Sequence, residues 1–134
     1  MSTFLLEIVT PERKVYEQEV HMVVVRGAEG ELGILPNHIP LVTPLLIGPL
    51  KIERDGVNEF IAVSGGFMEV RKNKVVVLAE SAELPQEIDL ERAVAARERA
   101  ERRLHTKRDD IDHRRAELAL QRALNRMNVA KNKH

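Results

Sequence analysis

Ten of the thirteen basic residues between positions 85 and 134 are arginines, and their spacing is that of a helix face. Asp89, Arg92, Ala96, Arg99 and Arg103 recur at steps that a 3.6-residue turn stacks on one side. Arg115, Arg122 and Arg126 do the same on a later segment. A chain reversal near position 107 or 108 lays the two faces together, bringing Asp89 to Arg126 and Arg92 to Ala123 and Arg122. Three guanidiniums then converge on one carboxylate beside a helix N-terminus, where the backbone dipoles favour an anion. A guanidinium donates through a planar fork that fits phosphate oxygens. Two readings stay open at this point. One is a phosphate or nucleotide site. The other is a solvated charged face, with ion pairs to Glu87, Glu91 and the acids of the connecting loop.

Other chemistry is sparse. The chain has no G-x-S-x-G, no Walker A lysine loop, no H-E-x-x-H and no G-x-G-x-x-G. Gly27, Gly30 and Gly33 are spaced G-x-x-G-x-x-G without a following Lys-Ser/Thr, so they read as a loop between strands. Ser64-Gly65-Gly66 reads as a structural turn, since a nucleophile elbow needs a helix after it. The five histidines are scattered, and His38 sits in a Pro-flanked turn that suits a surface or interface contact better than a metal. With no Cys there is no disulfide, no thiolate nucleophile and no Cys-ligated zinc. The expectation is a non-enzyme with no catalytic residue, no metal and no prosthetic group.

These residues must be carried by something, and composition says what. The 134 residues hold 21 basic and 21 acidic side chains, which argues against a globally basic nucleic-acid binder. Phe4, Tyr16, Phe60 and Phe67 are the only aromatics, too few for stacking along a single strand. No apolar run approaches the ~18–20 residues of a membrane span, and no signal peptide opens the chain, so a soluble cytoplasmic protein is expected.

The averages conceal a boundary. All seven Gly lie at or before Gly66, and the last Pro is Pro85. Residues 1–84 carry 8 basic and 12 acidic side chains; residues 85–134 carry 13 and 9. A shift from net −4 to net +4 with the loss of turn formers predicts two units, 1–84 and 85–134. The first reads as all-β, with runs at 4–9, 14–17, 20–26, 31–35, 50–54, 59–63, 67–70 and 74–79. Turn chemistry separates them at 27–30, 36–38, Asp55-Gly56 and Gly65-Gly66. An antiparallel sandwich or flattened barrel follows, with Val23, Val25, Ile34, Leu41, Ile61, Val63, Val76 and Leu78 as its core.

The second unit reads as a helical hairpin. Asp89 is the N-cap of a helix over 90–104, with Ile88 as a staple onto Ala93. Pairs such as Glu98–Arg102 add only ~0.2–0.5 kcal/mol each. Thr106 and Asp109 fit a helix start, and a second helix runs from about 110 to about 130. Its apolar stripe is Ala116, Ala119, Leu120, Ala123, Leu124 and Met127; the first helix offers Leu90, Ala93, Val94, Ala96, Ala100 and Leu104. Alanines bury far less than the ~1.5–3 kcal/mol of a leucine, so the hairpin should be held only marginally, to itself and to the β unit.

Two segments, Gly30-Glu31-Leu32-Gly33-Ile34-Leu35-Pro36-Asn37-His38-Ile39-Pro40 and Ala62-Val63-Ser64-Gly65-Gly66-Phe67-Met68-Glu69-Val70, resemble the epsilon subunit family of bacterial F-type ATP synthases. So do Val9-Thr10-Pro11, Val15-Tyr16-Glu17 and the order of β unit then hairpin. The resemblance covers essentially the whole chain. It implies a non-catalytic rotor subunit on the cytoplasmic face of the membrane, attached only through its complex. Its β unit is implied to bind the gamma subunit and the c-ring, with Glu31 and His38 on the rotor side. The compact hairpin is implied to permit ATP hydrolysis. The extended hairpin is implied to rise between the alpha and beta subunits and block it.

Ile88-Asp89-Leu90-Glu91-Arg92-Ala93 resembles the I/L-D-x-x-R-A motif by which some family members, notably thermophilic Bacillus-type ones, bind ATP. The resemblance carries over Glu83, Ile88, Asp89, Arg92, Ala93, Arg99, Arg122 and Arg126 as the site of a regulatory ATP. The rival is an Arg-rich helical RNA-binding protein, opposed by the neutral charge balance and the lack of aromatics.

Overall fold

A computed structural model describes residues 2–106 and 110–132. Its strands are β1 (Phe4–Val9), β2 (Lys14–Val20), β3 (Met22–Gly27), β4 (Gly30–Ile34), β5 (Leu41–Arg54), β6 (Val57–Val70), β7 (Lys74–Ala79) and β8 (Ala82–Glu83). A 3-10 turn at Pro85–Glu87 leads to the helices α1 (Leu90–His105) and α2 (Asp110–Lys131). The expected order of a β sandwich and then a helical pair is what the chain adopts.

The strands pair along one path, β2-β1-β7-β6-β5-β3-β4, with β8 added to β6. That path folds over a single core containing Phe4, Leu6 and Ile8 of β1, Val23 and Val25 of β3, Leu50 and Ile52 of β5, and Val75 and Val77 of β7. Every pairing is antiparallel except β1 with β7, which is parallel from Leu5↔Lys74 to Val9↔Leu78.

Sequence patterning misjudged two features. The runs at 50–54, 59–63 and 67–70 belong to two 14-residue strands, β5 and β6, joined by the expected Asp55-Gly56 turn. Both turn residues have positive φ, 53° and 78°, the geometry that matches the twist of a two-residue hairpin. Gly65-Gly66 is not a turn between strands. It lies inside β6, where that strand passes from pairing with β8 to pairing with β7. A Cβ on Gly66 would stand 2.1 Å from the Leu78 carbonyl oxygen, so only glycine allows β7 to approach.

The second misjudgement is the phase of β7. Val75, Val77 and Ala79 face the core, whereas Val76 is half-buried and Leu78 is 52 % exposed. The expected core positions Val23, Val25, Ile34, Ile61 and Val63 are buried, and Leu41 is partly so.

The helices pack through small residues. Ala93 and Ala100 on α1 and Ala116 and Ala123 on α2 are all at most 4 % exposed, seven residues apart on each helix. Asp89 caps α1, its Oδ1 accepting from the Arg92 N–H at 3.1 Å. Thr106 closes α1, its hydroxyl donating to Arg103 O at 2.8 Å; Asp109, expected to start α2 with it, lies outside the described residues. The i,i+4 pair that forms on α1 is Arg97–Glu101 at 3.4 Å, not Glu98–Arg102. α2 also lies against β5 and β6. There Val129 is fully buried, and the Asn125 Nδ2 donates to Val63 O at 3.3 Å. Leu124, expected in the apolar stripe, is 46 % exposed.

Candidate functional site

The turn from β8 into α1 builds one wall of a cleft, and α2 supplies another. Glu83 ends β8, Glu87 ends the 3-10 turn and Asp89 caps α1, so three carboxylates fall within seven residues. Successive turns of α1 add Arg92, Ala93, Ala96 and Arg99, and α2 adds Arg126. Together these line a cleft of about 330 Å³. Six of the eight residues the sequence assigned to a nucleotide site line it: Glu83, Asp89, Arg92, Ala93, Arg99 and Arg126.

The other two do not. Ile88 is half-buried behind the cap, its N–H donating to Pro85 O at 3.3 Å. Arg122 lines a different cleft, between α2 and the sheet. Of the three arginines expected around Asp89, Arg92 and Arg126 line the cleft and Arg122 does not. Arg126 pairs with Glu83 instead. Asp89 spends one oxygen on the helix cap. The reason is the β8 strand, which lies outside the hairpin and brings Glu83 to α2.

The cleft's charge is balanced, three carboxylates to three guanidiniums, rather than in positive excess. Three of its members are already matched: Arg126 and Glu83 by each other, and Glu87 by Arg13 of the β1–β2 connection at 2.7 Å. The same Glu87 oxygen accepts from the Leu84 N–H at 2.9 Å, tying the 3-10 turn to the sheet. The Arg13 guanidinium holds the Glu87 carboxyl below the usual carboxylate range, and Glu87 in turn raises Arg13. Arg92 and Arg99 have no ion-pair partner among the described residues, so they remain available to an anion. Sequence reasoning missed Arg13, which stands 74 positions from Glu87 and has no local signal.

The second expected site lies on the β unit. Glu31 is exposed on β4, opposite Arg26 of β3. His38 closes a turn through its N–H to Leu35 O at 3.2 Å, with Asn37 at φ 65°. Around it the chain exposes Leu35, Ile39 and Val42, at 56, 78 and 68 %. Exposed apolar residues grouped within eight positions suit a protein partner better than water. No helix among the described residues is long and apolar enough to cross a membrane, and no group of metal-ligating side chains is found among them.

Comparison with known proteins finds two family domains in succession. Residues 3–85 match the family described as ATP synthase, Delta/Epsilon chain, beta-sandwich domain, and residues 86–131 match its long alpha-helix domain. The chain is 55 % identical over 132 residues to the ATP synthase epsilon chain of Bacillus velezensis, covering 98 % of this chain and 100 % of that one. It is 58 % identical over 130 residues to the epsilon chain of Alkalihalophilus pseudofirmus, covering 96 % and 98 %. Among solved structures, a chain of the Euglena gracilis mitochondrial ATP synthase, described as OSCP/F1/c-ring, superposes with TM-score 0.83 at 25 % identity, covering 98 % of this chain and 82 % of that chain. A chain of the Tetrahymena thermophila mitochondrial enzyme shares the fold at TM-score 0.68 and 14 % identity, covering 96 % and 97 %. None of these likenesses supports an RNA-binding role.

Proposed function

This chain belongs to the ATP synthase delta/epsilon family, as an epsilon-type, non-catalytic subunit, and on that premise we propose that it is a central-stalk subunit whose helical hairpin senses ATP. The observation that carries the reading is the cleft at the open end of the hairpin. It gathers Glu83, Asp89, Arg92, Arg99 and Arg126, with two guanidiniums unpaired.

In this reading Arg92 and Arg99 take phosphate oxygens, and Arg126 joins them by exchanging its Glu83 partner for phosphate. Glu83, so released, or the free oxygen of Asp89 accepts a hydrogen from the adenine amine or a ribose hydroxyl. Ile88 and Ala93 border the base, and Arg122 turns from the sheet toward the phosphates. The walls come from both helices, so the site exists only while the hairpin is closed. A ligand confined to one state stabilises it by RT ln(1 + [L]/Kd), about 2.7 kcal/mol at a hundredfold excess. ATP then selects the compact hairpin. When ATP falls, the hairpin extends toward the alpha and beta subunits and inhibits hydrolysis.

The β unit carries the mechanical role, with Glu31, His38 and the exposed Leu35, Ile39 and Val42 meeting gamma and the c-ring. The protein is thereby held peripherally at the cytoplasmic face of the membrane. Calorimetric titration with ATP tests the sensing half. Arg92→Ala and Arg126→Ala should each weaken binding by at least about tenfold, as loss of a charge-assisted phosphate contact predicts, while Arg71→Ala should not differ. Equal affinity in all four proteins would sink the assignment.

A further inference from the structure

Glu87 stands on the wall of the cleft that the ATP reading uses, yet its charge is answered from the β unit. One oxygen, Oε1, accepts twice, from the Arg13 guanidinium at 2.7 Å and from the Leu84 N–H at 2.9 Å. This carboxylate therefore joins the β1–β2 connection, the 3-10 turn ahead of α1 and the cleft. Arg13 is itself held in place. Thr10, 7 % exposed, donates its N–H to Arg13 O at 2.9 Å and accepts the Arg13 N–H on its Oγ1 at 3.3 Å. These bonds close the turn between β1 and β2, so the guanidinium starts from a fixed backbone. Arg13 lies outside the set of side chains that line the cleft.

The charge of the cleft gives this contact a consequence. Glu83, Glu87 and Asp89 stand against Arg92, Arg99 and Arg126, so the walls bring no positive excess of their own. A triphosphate adds several negative charges, and each uncompensated carboxylate beside it opposes them. Arg13 brings a fourth guanidinium from outside. The hydrogen bond from Glu87 and then the charges of Glu87, Glu12 and Glu83 hold it above the usual guanidinium range, so its field reaches two of the three acids.

We propose that Arg13 is a positioning residue of the ATP cleft, acting on the nucleotide through Glu87: it neutralises that carboxylate and pins it to the turn that leads into α1. The proposal rests on the ATP reading of the cleft. When Arg126 leaves Glu83 for phosphate, Arg13 remains as a counter-charge to Glu83 as well. The β unit thereby contributes to ATP affinity, although among the described residues none before Glu83 lines the cleft.

The experiment is calorimetric titration of the full chain with ATP at about 0.01 M and about 0.15 M salt, between which the reach of an exposed charge shrinks from roughly 30 to roughly 8 Å. Arg13→Gln, Arg13→Lys, Glu87→Gln and the Arg13→Gln, Glu87→Gln double variant are compared with wild type, and Arg92→Ala reports on the ATP site itself. At low salt Arg13→Gln should weaken binding about threefold, the modest size that a partly exposed pair allows, and by less at high salt. Arg13→Lys should lose less, since it keeps the charge. Glu87→Gln should tighten binding, because it removes an acid and frees Arg13. The double variant should regain most of what Arg13→Gln loses, since it carries neither the acid nor its counter-charge. An Arg13→Gln protein that binds like wild type at low salt overturns the inference. So does a loss that salt does not reduce or that Glu87→Gln does not rescue, which would make Arg13 a support of the fold alone. In both cases the ATP reading stands provided that Arg92→Ala binds weakly. Absence of binding by wild type, or full affinity in Arg92→Ala, removes that reading and this inference with it.

Discussion

Replacing Ala123 by Leu probes the link between helix packing and ATP sensing. Ala123 is 1 % exposed at the interface where α1 and α2 meet. Leucine adds three carbon atoms on a helix whose partner, α1, buries only small residues, Ala93 and Ala100. Overpacking of this kind costs roughly 1–3 kcal/mol, and forcing the helices apart relieves it. Taking about 2 kcal/mol, the ratio of closed to open hairpin falls about thirtyfold, at about 1.4 kcal/mol per factor of ten. If the closed form outweighs the open about ten to one at the start, roughly a quarter of the molecules stay closed. The apparent Kd for ATP then rises about fourfold, since it scales inversely with the competent fraction. Calorimetry of the isolated protein measures this directly, and hydrolysis by the assembled enzyme should show stronger inhibition that takes more ATP to relieve. Ala116→Leu separates the packing effect from local damage. Ala116 is equally buried on α2 but stands ten positions from Arg126 of the cleft, against three for Ala123. Both variants should weaken ATP binding with helical circular dichroism preserved. Undiminished affinity in both would refute the claim that closure of this alanine interface makes the site.

Gly66→Ala should destabilise the β unit by roughly 3 kcal/mol or more, combining backbone strain with an unrelievable clash, because its Cβ would meet the Leu78 carbonyl at 2.1 Å and φ is 119°. Gly56→Ala, in open space at φ 78°, should cost only about 1 kcal/mol; similar urea midpoints for the two would contradict the account of β6. The acid limb of stability should depend on Glu87, whose folded pKa the Arg13 guanidinium lowers from 4.5. A depressed carboxylate contributes fully above its unfolded pKa, and the contribution is lost as pH falls through the folded one. Glu87→Gln should therefore remove a modest part of the decline below about pH 4.5; superimposable acid titrations of the two proteins would show that the Arg13 contact contributes nothing.

The sequence alone determined what local chemistry controls. Loss of Gly and Pro after Pro85 and the arginine-rich helical periodicity foretold strands followed by two helices. The N-cap at Asp89 and the hairpin turn at Asp55-Gly56 were legible because each depends on its own side chain and backbone freedom. The buried alanines of the hairpin were legible too, since a chain reversal fixes which helical positions face each other. Where alternation was missing, phase was not readable: Val75-Val76-Val77-Leu78-Ala79 is apolar throughout, and only pairing with β1 and β6 decides that Val77 goes in and Leu78 out. Gly65-Gly66 carried the chemistry of a turn, but the same freedom of φ serves a strand that changes partners, and a local reading cannot tell the two apart. The candidate site divides the same way. Arg92 and Arg99 were placed by helical spacing, whereas the pairing of Arg126 with Glu83, the removal of Arg122 to the sheet-side cleft and the hold of Arg13 on Glu87 were decided by tertiary structure. Each of those three joins groups from separate elements, and an ion pair forms with whichever opposite charge the packed chain brings near, however distant it is in sequence.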